Sequence, residues 1–370
     1  MISRTSVAAA VVAAALVVVA MLGGCTAASG GPGGSGASGA SGPSGSPRAS
    51  ASSGSSTSPR IAVSGDLAAH DPQLVAGRGG APWYVYSTGD QSIGDGNIEI
   101  RTSPDGHTWK LAGTVWKTKP AWLSKAVPGV ANLWAPMLYH HGSTWYLYYA
   151  ASTFGSNRSV IGLATNTTLD LKSSAYRWVD RGEVIGSNAT DDFNAIDPTV
   201  IDDASGAPWM AFGSFWSGIR MVRLSWPTGL RAPTKGGADA ATPLKLADRG
   251  TPPNAIEAAT ILRHGGWYYL IVSRDSCCQG SASTYNMAFG RSRAVTGPYL
   301  DEKGNSLLFD GGSPLLASKG NEAGPGGESY SHGYLAWHFY NVDVGGATTL
   351  AIQKLGWTAA GWPTLALPPR

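Results

Sequence analysis

The chain has 370 residues, including 50 Gly and 14 Trp, with 14% charged residues and a formal net charge of +3. A disordered or nucleic-acid-binding protein would carry more charge and fewer aromatic residues, so the composition excludes both classes. Gly, Ser, Thr, Tyr and Trp are abundant, which favours many short strands joined by tight turns over helices. The composition therefore predicts a folded, all-β protein.

The N-terminal residues have the pattern of an export signal. Arg4 precedes an uncharged apolar stretch that ends in Leu22-Gly23-Gly24-Cys25, the order found in secretory signals. Small residues directly before a Cys resemble a bacterial lipobox, whose Cys becomes the lipidated first residue of the mature chain. An ordinary signal peptide or an uncleaved transmembrane anchor would explain the same residues. We predict a lipoprotein signal peptide over residues 1–24, lipidation of Cys25 and display on the bacterial cell surface, with secretion as the alternative.

The next segment, residues 25–60, is dominated by Gly, Ser, Ala and Pro. It offers almost no apolar side chain to bury, so we predict a disordered, flexible tether. The folded domain is predicted over residues 61–370. Contact with a membrane is expected through the lipid anchor alone, and no nucleic-acid partner is expected because the chain contains no block of Lys and Arg.

An aromatic strand motif recurs in the folded domain at intervals of about sixty residues. Its five copies start with Trp or Tyr and occupy residues 83–86, 145–148, 209–212, 267–270 and 334–337. A fixed period of this length is the signature of a repeat architecture. Each unit has room for four short strands, which is one propeller blade. Five units therefore predict a five-bladed β-propeller.

A short motif precedes each of the first four aromatic strands at a similar distance. The four copies are His70-Asp71-Pro72, Trp134-Ala135-Pro136, Ile196-Asp197-Pro198 and Glu257-Ala258-Ala259. If the aromatic strand is the second of its blade, these motifs start the innermost strands, and Asp71, Asp197 and Glu257 meet at one mouth of the central channel. Asp-Pro also begins turns for conformational reasons. Three acids at matched positions nevertheless favour a functional cluster, because clustered like charges cost free energy.

An ordered set of motifs carries a family resemblance. It comprises the motifs of Asp71, Trp134 and Asp197 together with Gly213-Ser214-Phe215-Trp216-Ser217-Gly218, Ile256-Glu257-Ala258, Cys277-Cys278-Gln279-Gly280 and Gly290-Arg291-Ser292. From Asp66 to about Leu367 the chain resembles glycoside hydrolase family 43, and most of all its endo-1,5-α-L-arabinanases.

The resemblance implies a five-bladed propeller and an inverting hydrolase that cleaves internal α-1,5-L-arabinofuranosidic links of plant cell-wall arabinan or arabino-oligosaccharides. It assigns Asp71 as general base, Glu257 as general acid, and Asp197 as the residue that tunes the pKa of the acid and orients it. These roles suit the chemistry, since inversion needs two carboxyl groups roughly 6.5–9.5 Å apart, one protonated and one ionised. A third carboxylate nearby raises the pKa of the acid.

The resemblance also implies a set of substrate contacts, namely Asn194, Ser214, Phe215, Trp216 and Gly155. Aromatic faces and hydrogen-bonding groups match the apolar and hydroxylated surfaces of a sugar. Trp134 is a further candidate, although a Trp before Ala-Pro could equally be a core residue.

The chain departs from the family pattern at two places. Met137 follows Trp-Ala-Pro, where many members have an Asp. Related arabinanases also place a His in a Gly-Pro-Gly-His motif near a calcium ion at the channel centre, whereas residues 324–327 of this chain read Gly-Pro-Gly-Gly. We expect no required cofactor. A structural calcium is the alternative, with His332 or His338 as substitute ligand.

Three questions stay open at the level of sequence. An exo-acting α-L-arabinofuranosidase or β-xylosidase of the same superfamily could share every catalytic residue. A non-catalytic glycan-binding surface lipoprotein could keep the fold, although all three acids are present. Cys277 and Cys278 are adjacent in an exported chain and could form a disulfide or remain buried thiols.

Overall fold

The computed structural model describes residues 58–233 and 242–366. The predicted signal peptide, Cys25 and almost all of the predicted tether lie outside the described residues. Within the described residues, no helix has the length and apolar character needed to cross a membrane.

The described residues form five main sheets in succession, which are joined by turns and short helical segments. The first sheet contains β1 (Ser64–Gly65), β2 (Gln73–Val75), β3 (Trp83–Ser87), β4 (Glu99–Ser103) and β5 (Thr108–Thr114), and α1 (Leu123–Ala126) follows it. The second contains β6 (Leu133–His141), β7 (Thr144–Ala151), β8 (Ser159–Asn166) and β9 (Val179–Ser187). The third contains β10 (Thr199–Asp202), β11 (Pro208–Phe212), β12 (Ile219–Arg223) and β13 (Leu244–Ala247).

The last two sheets follow the same plan. The fourth contains β14 (Ile256–His264), β15 (Trp267–Arg274), β16 (Asn286–Ser292) and β17 (Ser313–Leu316). The fifth contains β18 (Glu322–Ser331), β19 (Tyr334–Asn341) and β20 (Ala347–Lys354), and the small hairpin of β21 (Gly356–Trp357) and β22 (Pro363–Thr364) comes last. Short 3₁₀ helices at Gly94–Gly96, Gly280–Ala282, Leu307–Phe309 and Val342–Val344 lie in the connections.

The sheets are the blades of a propeller. In every blade the strands from the innermost outward pair antiparallel in chain order, and in the first blade β1 is added in parallel to the outer strand β5. The innermost strands β2, β6, β10, β14 and β18 contact one another in a closed ring around the axis. The predicted aromatic motif is the second strand of each blade. The predicted five-bladed β-propeller is therefore confirmed.

Adjacent blades pack against each other through apolar faces, so the core consists of layers between blades. Blades 1 and 2, for example, bury Tyr86, Ile100 and Tyr149 between them, and blades 5 and 1 bury Val85 and Trp109. The strand β3 is buried along its whole length, because both of its faces meet a neighbouring blade. This burial explains why the second strands are aromatic and apolar without a polar alternation.

One backbone feature recurs in all five blades where the chain enters the innermost strand. Asp71, Ala135, Asp197, Ala258 and Gly327 have φ values of 49°, 44°, 58°, 51° and 60°. Non-glycine residues seldom adopt this left-handed region, and strained residues tend to cluster at functional sites. The fifth copy, at Gly327, has neither an acid nor a proline to mark it in the sequence.

Residues 58–60, which were predicted as part of the tether, pair with the outer edge of blade 5. Arg60 bridges to Gln353 and forms a bidentate ion pair with Glu322, and Gln353 Nε2 donates a 2.8 Å hydrogen bond to the Ser58 carbonyl. The N-H of Ile61 bonds to the Ile352 carbonyl at 3.0 Å. The predicted boundary at residue 61 is therefore too late. Blade 5 has three strands, and residues 58–61 cover the free edge of β20.

Candidate active site

A cleft of about 930 Å³ lies over one mouth of the central channel. Its size is at the upper end of the range of roughly 300–1,000 Å³ for small-ligand sites. The structure brings every predicted catalytic and substrate-contact residue to this cleft: Asp71, Trp134, Gly155, Asn194, Asp197, Ser214, Phe215, Trp216 and Glu257 all line it. Trp134 is half-buried and faces the cleft, which decides between the two interpretations of this residue.

Asp71 lies directly before β2 and is surrounded by donors. Thr88 Oγ1 donates a 2.6 Å hydrogen bond to Asp71 Oδ2, and His70 Nδ1 lies 2.8 Å from the same oxygen. The His70 contact is an ionic one, since the ring nitrogen is not aligned for a hydrogen bond. Burial alone would raise the pKa of Asp71, but His70 outweighs it, with help from His338 and Thr88, and the pKa falls to about 2.

The neighbouring imidazoles have opposite protonation behaviour. Burial opposes the charged form of His70, but Asp71 beside it outweighs burial and raises the pKa of His70. Burial and the charge of His70 lower the pKa of His338 well below its usual value. His338 Nδ1 accepts the backbone N-H of Asp71 at 3.1 Å, so His338 is a neutral acceptor there. Asp71 thus has two imidazole neighbours, one whose charged form is favoured and one whose neutral form is favoured.

Glu257 lies near the start of β14 and is 8% exposed. Ser214 Oγ donates to one carboxyl oxygen at 2.5 Å, and the Tyr285 hydroxyl donates to the other at 2.6 Å. Burial raises the pKa of Glu257, and the two hydroxyls oppose this only in part. No ion pair to Glu257 is present among the described residues.

Asp197 lies before β10, in the blade next to that of Glu257. Its Oδ2 accepts the backbone N-H of Ala258 at 3.0 Å, one residue after Glu257. Burial and the like charge of Glu257 raise the pKa of Asp197 well above its usual value. Two buried carboxyl groups that repel each other favour the state in which one of them holds a proton. Together the three acids offer one carboxylate whose ionised form is favoured and one carboxyl pair in which protonation is favoured.

Four polar residues around the acids were not predicted from the sequence. His70 stands in the His-Asp-Pro motif, so its position beside Asp71 was a signal for it. Thr88 and Tyr285 come from β3 and β16 connections with no motif of their own. Glu328 is buried between blades 4 and 5, where Ser273 Oγ donates to it at 2.7 Å. Burial raises the pKa of Glu328 to about 8, so it is neutral at pH 7.

Two of the predicted substrate contacts make hydrogen bonds within the protein. Asn194 is 4% exposed, and its Oδ1 accepts from Ser159 Oγ at 2.7 Å, which leaves its amide group as the possible donor. Ser214 is bound to Glu257. Trp216 is 40% exposed and Phe154 is 84% exposed, and both line the cleft. Phe154 was not predicted.

Met137 lies in the channel beneath the cleft. A cavity of about 30 Å³ there is lined by three residues from each blade, and it has room for two or three water molecules on the scale of roughly 10–15 Å³ each. Met137 therefore lines the same cavity as Asp71 and Asp197.

The candidate metal ligands fall in two different places. His332 is exposed in the hairpin turn between β18 and β19. His338 lies with His70 and Asp71 in a group whose ligand atoms are within 4.8 Å of one another. Calcium prefers six to eight oxygen ligands, whereas this group offers one carboxylate and two imidazoles. His338 Nδ1 accepts the Asp71 N-H and His70 Nε2 faces Tyr340, while His338 Nε2 is buried without a hydrogen-bond partner among the described residues. One carboxylate does not supply the oxygen ligands that calcium prefers, and no step of the reaction is derived through calcium.

Cys277 and Cys278 form a disulfide, which settles the alternative that the sequence left open. Both residues line the cleft.

Comparison with known proteins gives the family of the chain. Residues 64–363 match the family model of "Glycosyl hydrolases family 43". The chain belongs to glycosyl hydrolases family 43, and it is therefore a glycoside hydrolase.

Three relatives illustrate the match. The chain is 38% identical over 297 residues to extracellular endo-alpha-(1->5)-L-arabinanase 1 of Bacillus subtilis, covering 80% of this chain and 87% of that protein. It is 38% identical over 305 residues to extracellular exo-alpha-(1->5)-L-arabinofuranosidase ArbA of Cellvibrio japonicus, covering 80% and 85%. The structure of a Cellvibrio cellulosa alpha-L-arabinanase complexed with arabinohexaose superposes with a TM-score of 0.74 at 36% identity, covering 81% of this chain and 96% of that one.

Proposed function

We propose that the protein is an endo-acting, inverting arabinan hydrolase that cleaves internal α-1,5-L-arabinofuranosidic links. It is an arabinan-cleaving glycoside hydrolase, as its family and its arabinanase relatives support. The observation that carries the mechanism is the convergence of Asp71, Asp197 and Glu257 from three different blades on one cleft.

The reaction divides between the two sides of the cleft. Asp71, ionised, accepts a proton from a water molecule, which attacks the anomeric carbon on the face opposite the leaving oxygen. Glu257, protonated, gives its proton to that oxygen as the bond breaks. Asp197 keeps the proton on Glu257 at working pH and holds its backbone through Ala258. Blade 5 separates the blades of Asp71 and Glu257, which leaves space between the two carboxyl groups for water and substrate.

Two measurements test this function. The chain without its predicted signal peptide is incubated with linear arabinan, and the product lengths are followed over time. An endo enzyme produces a falling range of oligosaccharides from the first minutes. The anomeric configuration of the first product, followed by NMR before mutarotation, should be inverted. A retained configuration would contradict the assignment of Asp71 as base.

An exo-acting enzyme is the second candidate, because one relative of equal identity is an exo-α-L-arabinofuranosidase. The same product assay separates the two. An exo enzyme releases one short product of constant length from the beginning, and the viscosity of the arabinan solution then falls slowly.

Export is supported by the extracellular relatives, and we propose a lipid anchor at Cys25 in addition. Its support is the order of charge, apolar stretch and small residues before Cys25. Replacing Cys25 with Ser should release the protein from the membrane fraction into the medium. Continued retention of that variant would favour an uncleaved transmembrane segment.

We propose that turnover requires no cofactor, since two side chains carry both proton transfers. Dialysis against a chelator should leave kcat unchanged, and a loss that added calcium restores would contradict this.

A further inference from the structure

The disulfide in the cleft is connected to Asp71 by a chain of polar contacts. The backbone N-H of Cys278 donates a 2.8 Å hydrogen bond to the hydroxyl oxygen of Tyr340. The same hydroxyl lies 2.9 Å from His70 Nε2, and His70 Nδ1 lies 2.8 Å from Asp71 Oδ2. Cys278 Sγ also approaches His70 Nε2 at 3.8 Å.

The carboxylate beside His70 favours a hydrogen on Nδ1. Asp71 Oδ2 lies 2.8 Å from Nδ1, and two lone pairs at this distance would repel each other, so Nδ1 carries the hydrogen when His70 is neutral. The Tyr340 oxygen accepts from Cys278 and faces Nε2. When His70 is protonated both nitrogens carry hydrogens, and the contact with Asp71 is an ion pair.

A second imidazole packs against the face of the His70 ring. His338 stacks on it with ring centroids 3.9 Å apart and an angle of 28°. His338 is in turn fixed by the N-H of Asp71, which bonds to its Nδ1. The remaining freedom of His70 is movement within the stack, away from Asp71, and Tyr340 is the group that opposes it.

The disulfide accounts for the position of the Cys278 N-H. A bond between adjacent cysteines closes a small ring that includes the peptide bond joining them, so the backbone there has little freedom. Cys278 has φ of 66°, in the left-handed region that a non-glycine residue seldom adopts. Without the covalent ring, the chain at Cys278 could relax and turn its N-H away from Tyr340.

We propose that the Cys277–Cys278 disulfide is a positioning element for the general base, which fixes His70 against Asp71 through Tyr340. This inference rests on the proposed function, because it requires Asp71 to act as base. The alternative is that the disulfide contacts the bound sugar directly, as a wall of the cleft. Loss of such a contact would change substrate binding and KM, whereas loss of a positioning element would change the chemical step and kcat.

The test compares three variants of the full enzyme: Cys277→Ser with Cys278→Ser, Tyr340→Phe, and the two combined. Breaking the path at either point should lower kcat about tenfold, the scale of one hydrogen bond to a charged group, and leave KM unchanged. The loss should be equal on arabinan and on an aryl arabinofuranoside, because water activation is common to both. The combined variant should be no slower than Tyr340→Phe alone, since both changes interrupt one path.

Tyr334→Phe is the matched control. Tyr334 lies at the other end of β19, where its ring packs 5.1 Å from that of Trp83. This variant should have the kinetics of the wild type.

Reduction of the wild type gives a second measurement that needs no folding of a variant. A water-soluble phosphine reduces the disulfide to two thiols, which take up two electrons and two protons, while the phosphine gains the oxygen of one water molecule. The exposed Cys278 is accessible to the reagent. The kcat should fall as in the serine variant and return on reoxidation. The serine variant, which keeps one of the three cysteines of the chain, should not respond to phosphine.

The outcomes separate this inference from the function on which it rests. Failure of the oxidised wild type to hydrolyse arabinan would contradict the proposed function. Normal hydrolysis that neither phosphine nor the serine variant changes would overturn only the positioning role. Additive losses in the combined variant, or a raised KM with unchanged kcat, would also overturn it, the latter in favour of a substrate-facing wall.

Discussion

Asp71 and Glu257 are carboxyl groups that start two inner strands and face one cleft, yet their surroundings are opposite in charge. Asp71 has His70 at 2.8 Å, and although burial opposes ionisation, the imidazoles and Thr88 bring its pKa to about 2. Glu257 has only hydroxyl donors, Ser214 and Tyr285, and burial raises its pKa. The neighbours of each carboxyl, more than its residue type, determine which one is ionised and which holds a proton.

The third acid strengthens this asymmetry. Asp197 lies in the blade beside Glu257, and burial together with the charge of Glu257 raises the pKa of Asp197 well above its usual value. On the other side of the cleft, His70 favours the ionised form of Asp71. The cleft is therefore polarised, because protonation is favoured on one side and ionisation on the other.

The largest expected effect comes from removing the base. Asp71→Asn should lower kcat by about 10²–10⁴-fold, because an amide cannot take the proton of the attacking water. The loss should be equal on arabinan and on an aryl arabinofuranoside, and KM should change little. Azide, a nucleophile that needs no base, should restore turnover of the aryl substrate as a glycosyl azide. Activity within a few-fold of the wild type would contradict the base assignment.

Removing the acid should give a loss that depends on the leaving group. Glu257→Gln should lower the kcat on arabinan by about 10²–10⁴-fold, since the leaving sugar oxygen needs a proton. A dinitrophenyl arabinofuranoside, whose leaving group is stable as an anion, should lose far less. Equal losses on the two substrates would show that Glu257 does not act as the acid.

The third effect concerns the pair of Asp197 and Glu257. In the proposed roles Asp197 is the ionised member of this pair and Glu257 the protonated one. Asp197→Asn removes the negative charge that favours the proton on Glu257, so the pKa of Glu257 should fall by about one unit or more, at about 1.4 kcal/mol per unit. The basic limb of the pH-rate profile, where the acid loses its proton, should move to lower pH. At neutral pH the kcat on arabinan should fall about tenfold, with a smaller loss on the aryl substrate. An unmoved basic limb would mean that Asp197 acts on the sugar and not on the acid.

The fold could be predicted because the repeated motif consists of buried residues. The second strand of each blade is covered on both faces, so each copy needs aromatic and apolar side chains, and the motif recurs at each interval. The acids could be predicted because Asp71 and Asp197 occupy one repeated backbone position and Glu257 comes one residue before the matching Ala258. The fifth copy was missed because Gly327 carries no side chain at that position.

The surroundings of the acids could not be predicted in the same way. Tyr285 reaches Glu257 from β15–β16 connections 28 residues away, and Thr88 reaches Asp71 from the end of β3, 17 residues away. These contacts follow from how strands pack, and no local pattern marks them. No local pattern marks the pairing of Arg60 either. Its backbone pairs with the edge of blade 5, although the segment before it has the composition of a tether.

The smallest effect compares the hydroxyl donors of the two carboxyls. Thr88→Val and Ser214→Ala each remove one hydrogen bond to the ionised form. Each should raise the pKa of its carboxyl by about one to two units, since such bonds contribute about 1.5–3 kcal/mol and one unit is about 1.4 kcal/mol. The consequences should be opposite. A higher pKa of Asp71 costs activity in acidic buffers, because the base becomes protonated. A higher pKa of Glu257 extends activity into basic buffers, because the acid keeps its proton. Rates at the optimum should change by only a few-fold. Thr88 also accepts the N-H of Ala135 at 2.9 Å, so melting curves must accompany the valine variant. Shifts of both variants at the same limb would mean that the two carboxyls do not have separate roles.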